Sequence, residues 1–168
     1  RAMPKLVDAD PRRQDVVEAG LRIFAADGPD RASLREVADE AGLAVGSVRH
    51  YFAGSEELLT YSFATVLDRI LRRLGGALPA VAAAVPGSLE QRTAVMAVLA
   101  GLLPLDETRA VEACAWMAFK NAARTRPFLA GEADRSHREV AAIAGQVVAA
   151  LVPADEPQDA LGVGGERL

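Results

Sequence analysis

Seven consecutive residues, Val45 to Tyr51, hold the side chains best suited to chemistry, and that chemistry is recognition rather than catalysis. Gly46 has no side chain, so a backbone there can approach a partner closely. Ser47 can bond a base edge or a phosphate, and Arg49 offers a planar fork that suits guanine or phosphate. His50 and Tyr51 add two further donors. Ser33 and Arg35 stand a short way upstream, Ser33 as a helix cap and then a phosphate ligand, Arg35 as a phosphate contact.

Catalytic arrangements are missing from the same sequence. The two histidines, His50 and His137, lie far apart, and Glu112 and Glu139 have no matching carboxylate. No HExxH, GxSxG or phosphate-cradling glycine loop occurs. The chain therefore reads as a non-enzyme without cofactor or metal. Cys114, the single cysteine, permits no internal disulfide and points to a reducing cytoplasm.

The elements that position these side chains are helices. Ser33 with Glu36 three residues on is a capping box that starts a helix over Ser33–Gly42. Leu34, Val37, Ala38 and Ala41 recur on one face, and Gly42 suits the left-handed end. A second helix over Val45–Tyr51 completes a helix-turn-helix. Ahead of the pair, Asp10 and Pro11 start a helix that runs to Ala26. Lys5, Arg12 and Arg13 read as a basic arm diluted by Asp8, Asp10 and Asp15. Downstream, Ser55-Glu56-Glu57 caps a long helix that fades at Gly75-Gly76. A connector over Pro79–Gly87 follows, then helices over Ser88–Leu103, Asp106–Arg124 and Leu129–Leu151. The segment Asp159–Leu168 starts a weaker one. No alternating strand pattern appears, so the fold class is all-α. The chain divides into a helix-turn-helix domain, 1–53, and a helical regulatory domain, 54–168.

Charge gives no support to nucleic-acid binding. The chain of 168 residues carries a net charge of −4, and residues 1–53 hold eight Lys/Arg against nine Asp/Glu. Affinity must come from placement on one face rather than from a global field. No apolar run approaches the ~18 residues of a membrane helix.

Ala19–Gly28, Ser33–Gly42, Gly46–Phe52 and Ser55–Leu59, in this order and spacing, resemble the DNA-binding domain of the TetR family of bacterial regulators. More loosely, Leu102–Pro127 and Ser136–Val148 resemble the regulatory domain of its BetI-like branch. The resemblance implies an all-α homodimer on a pseudo-palindromic double-stranded DNA operator, a repressor released by a small-molecule effector, with no membrane partner. It also implies that His50 and Tyr51 meet phosphates. Two departures stand out. Ala44 occupies the start of the recognition helix, where the family places serine or threonine. The chain also ends at Glu166-Arg167-Leu168, which resembles the lead-in to a final dimerisation helix.

The effector pocket is read from large side chains of the second domain: Trp116 first, then Met117, Phe119, Phe63, Met96 and Cys114. Few charges fall on the inner faces, which favours an apolar or weakly polar ligand. A rival reading is a ligand-binding or protein-interaction module with weakened DNA binding, consistent with Ala44 and the acidic balance.

Overall fold

The computed structural model describes residues 10–152. Seven α-helices follow one another: α1 (Pro11–Asp27), α2 (Leu34–Ala41), α3 (Val45–Tyr51), α4 (Ser55–Ala83), α5 (Leu89–Ala100), α6 (Glu107–Ala122) and α7 (Ala130–Leu151). Short 3₁₀ turns at Pro29–Arg31 and Pro127–Leu129 precede α2 and α7. No strand occurs among the described residues. The basic-arm residue Lys5 and the weak helix expected over Asp159–Leu168 lie outside them.

Local chemistry sets most of the helix ends. The Asp10 carboxylate accepts from the Arg12 N–H at 2.9 Å, with Pro11 at the first position where its missing N–H costs nothing. Ser88 and Asp106 cap α5 and α6 by accepting from Gln91 and Arg109 N–H groups. Gln91 is itself buried. Its side chain accepts from Gly87 N–H and donates to the Ala150 carbonyl, which ties the start of α5 to the end of α7.

Two expectations need correction. The fourth helix does not fade at Gly75-Gly76 but runs on through Pro79 to Ala83. Leu74 and Val81 carry the buried stripe across the weak stretch, and packing of α4 on α5 and α7 outweighs the local propensity. Its cap also differs: Gly54 is the N-cap and offers no side chain, while Ser55 is already helical. Glu57 instead accepts the Ala53 N–H at 2.7 Å.

The core is one continuous apolar cluster that crosses the junction at residues 53 and 54. Its centre is a trio of fully buried rings. Phe119 on α6 stacks on Phe63 of α4 at 5.1 Å and meets Phe24 of α1 edge-on at 5.2 Å. α1 therefore packs on α6 as well as on α2 and α3. No helix of the described residues is long and apolar enough to cross a membrane.

Candidate nucleic-acid interface

α2 and α3 are held at a fixed angle by their turn and their buried face. Gly42 adopts φ +66°, a conformation closed to most side chains, and Leu43 N–H reaches back to the Ala38 carbonyl at 2.9 Å. Val37, Ala38, Val48 and Phe52 bury inward. Arg22 on α1 pairs with Glu40 on α2 at 2.7 Å. The opposite face of α3 is left to solvent.

On that face the sequence-derived residues fall into two groups. Ser33, Arg35 and Arg49 meet in one cleft of about 520 Å³, lined also by Leu34, Val45, Ala53, Gly54 and Ser55. Two helix N-termini, those of α2 and α4, open into it beside two guanidinium groups. Backbone N–H groups and positive charge together suit a phosphate. Gly46, Ser47, His50 and Tyr51 lie along α3. Gly46 and His50 are exposed, and Ser47 and Tyr51 are half-buried. Beyond its chain neighbours and its own helix backbone, nothing lies within 4 Å of where a side chain on Gly46 would begin, so a partner can approach there.

Several of these groups already have partners. The Ser33 hydroxyl accepts from Glu36 N–H at 3.2 Å and donates to the Glu36 carboxylate at 2.9 Å. The same carboxylate accepts from Ser33 N–H at 3.0 Å, which completes the expected capping box. Those bonds from Ser33, backbone first, hold the Glu36 carboxyl below its ordinary range. Ser33 thus serves the cap before it serves any phosphate. Burial of the Tyr51 ring, and then its hydrogen bond to the Asp10 carboxylate, push the phenol above its usual range. Tyr51 is therefore a neutral donor whose proton is engaged by an acid. The His50 ring meets it edge-on at 5.1 Å.

Ala44 is the N-cap of α3 and makes no side-chain bond to the first turn. Its carbonyl still accepts from Ser47 N–H at 2.9 Å.

The basic arm needs revision. The Arg13 guanidinium lies over the Tyr61 ring at 4.1 Å and the Phe52 ring at 5.1 Å, so it packs α1 onto the α3–α4 junction. No spacing rule pairs Arg13 with a ring 48 positions away. Gly54 and Ser55 also line the cleft, a place that depends on how α4 meets α2.

The effector candidates do not converge on one cavity. Phe63 and Phe119 are buried against each other and serve as core. Met96 and Met117 are 64% and 69% exposed, and Cys114 also faces outward. Trp116 is half-buried; its indole N–H donates to the buried Ser136 hydroxyl at 2.9 Å, and Lys120 sits 5.3 Å from its ring. The expectation of few inward charges is also corrected. Glu112 is only 3% exposed and is held by Arg73 at 2.6 Å and Arg69 at 3.4 Å. Arg69 also pairs with Glu18 of α1. On α7, Arg135 joins Glu132, Glu139 and Asp68 of α4, and these carboxylates raise its pKa despite partial burial.

The chain is similar to known proteins along both of its parts. The profile of bacterial regulatory proteins of the tetR family matches residues 16–61, and that of the BetI-type transcriptional repressor, C-terminal, matches residues 91–163. The transcriptional regulator PksA of Bacillus subtilis (strain 168) is 34% identical over 122 residues, which cover 73% of this chain and 56% of PksA. BetI of Escherichia coli (strain K12 / DH10B) is 32% identical over 133 residues, 76% of this chain and 63% of BetI. The chain thus spans about six-tenths of the length of these relatives. A solved transcriptional regulator from Rhodococcus sp. Rha1 superposes with a TM-score of 0.59 at 27% identity, covering 83% of both chains. The multidrug binding protein EbrR complexed with imidazole gives 0.61 at 28%, covering 82% of this chain and 73% of EbrR. With both profiles matched in order along a helix-turn-helix and the helices behind it, the chain belongs to the TetR family of bacterial regulatory proteins.

Proposed function

We propose that the protein is a DNA-binding transcriptional regulator, a repressor that leaves its operator when a small molecule binds among α4 to α7. Residues 1–53 form the reading unit and 54–168 the regulatory unit. The observation that carries this reading is the cleft where Arg35 and Arg49 join the N-termini of α2 and α4, beside the exposed Gly46 backbone. In a homodimer, two α3 helices would enter successive major grooves about 34–36 Å apart. Phosphates in the two clefts would fix register on Arg35 and the two helix N-termini, while Ser47 and Arg49 reach from there to the bases. The effector is a small organic molecule, in keeping with the likeness to EbrR, which has been solved with imidazole and with ethidium.

The test begins with selection of a duplex from a random pool. Arg49→Ala should weaken that duplex by about 1–3 kcal/mol and relax its sequence preference. Tyr51→Phe should weaken all duplexes alike. Wild-type affinity should fall steeply with salt. Unchanged binding in both variants would refute the assignment.

The rival reading draws on the uncapped Ala44 and on the engaged Ser33 and Tyr51 hydroxyls. It describes a ligand-binding or protein-interaction module with weakened DNA binding, and absence of any duplex binding at low salt would select it.

A further inference from the structure

Four charged side chains form a continuous line through the molecule. Glu18 on α1 meets Arg69 on α4; Arg69 reaches Glu112 on α6 at 3.4 Å; Glu112 takes Arg73 of α4 at 2.6 Å. Arg73 then donates to the Gly101 carbonyl, just past the end of α5, at 3.4 Å. The line runs from the reading helices to the regulatory ones. A carboxylate as buried as Glu112 must be neutralised, and Arg73 already does that at short range. Arg69 is not needed for that purpose, yet its guanidinium reaches two acids on two different helices.

We propose that Arg69 is the positioning residue through which α6 and α1 sense one another, a coupling that rests on the DNA-reading function above. Arg69 sits on α4, the helix that joins the two units. Its planar fork holds Glu18 with one nitrogen and Glu112 with the other. The Glu112 contact is the longer and yields first when α6 turns. Arg69 then belongs wholly to Glu18, and α1 re-seats against α4. A guanidinium shared between two carboxylates has two discrete arrangements, as a switching element requires. Phe119 links the same three helices through its stacked and edge-on rings, and the ionic line adds a polar contact beside them that can open and re-form.

The single tryptophan, Trp116, sits on α6 and reports on this link from outside the interface. The full chain is titrated with a dye-labelled selected duplex. Anisotropy gives the Kd and Trp116 emission gives the response of α6. Wild type should show an emission change that saturates with the anisotropy. Arg69→Lys keeps the charge but cannot fork between two acids, and Glu18→Gln removes one arm. Both should hold the Kd within about threefold while the emission change falls below about a third. An undiminished emission change in both variants, or none in wild type at full binding, would overturn the coupling. If wild type binds no duplex, the DNA-reading function fails instead, and hydrogen exchange then decides the coupling alone. Glu112→Gln should speed amide exchange in α1 about tenfold, and adding Glu18→Gln should change it little further, as for two members of one path. Independent effects that multiply in the double variant would overturn it.

Discussion

Ala44 shows how much one missing oxygen changes at the surface proposed to meet DNA. The first turn of α3 begins without a side-chain acceptor, whereas α1, α2, α5 and α6 each have one. Ala44→Ser should restore the cap and raise stability by about 0.5–2 kcal/mol, read as a shift in the denaturant midpoint. A midpoint that does not move would show that water already serves those amides. Glu36 makes the complementary case in α2. Its folded pKa lies below the ordinary value of 4.5, so its contribution is complete above that value and drains as pH falls through the lowered one. Glu36→Gln should therefore flatten the acid limb of the melting profile, and an unchanged limb would place acid sensitivity elsewhere. Both residues were legible in the sequence because caps are written within four positions. The partners of Tyr51 and Arg13 were not, because Asp10 and Tyr61 reach them only after α1 has docked on the α3–α4 junction.

At the scale of elements, helix starts were read well, and of the helix ends only that of α4 fell more than a turn away. Asp10, Ser33, Ser88 and Asp106 mark starts by side-chain chemistry that needs no tertiary partner. The end of α4 was misplaced because Gly75, Gly76 and Pro79 weaken a helix locally, while burial of Leu74 and Val81 against other helices holds it together. The glycines are thus tolerated rather than required. A side chain on Gly76 would meet nothing within 4 Å, and its backbone angles are helical. Gly76→Ala should stabilise the protein by about 1 kcal/mol. A loss of stability would reveal that α4 needs to bend there. The inward faces of α6 and α7 were harder to read. The Glu112 carboxylate turns inward because Arg69 and Arg73 arrive from another helix, a pairing that periodicity in α6 alone cannot announce. For the same reason Met96, Met117 and Cys114 read as lining but face outward.

Taken whole, the molecule has a division in sequence that its core does not share. Phe24 belongs to the reading helices, yet its ring rests on Phe119 of α6, and Arg126 beyond α6 pairs with Asp30 ahead of α2. Phe119→Ala should cost about 3–5 kcal/mol and lower the stability of α1 and α6 together in one cooperative transition. Two separated transitions by circular dichroism and calorimetry would show that the halves melt independently. The shared aromatic trio also bears on how such a protein can be recombined. The proposed reading unit, cut at residue 53 and grafted onto a foreign regulatory body, would carry Phe24, Glu18 and Asp30 to a surface without Phe119, Arg69 and Arg126. The graft would inherit the side chains of α3 intact and leave behind the groove that seats its first helix. Shuffling that preserves function must therefore move α6 along with α1, so the exchangeable block is a pair of helices distant in sequence rather than a contiguous segment.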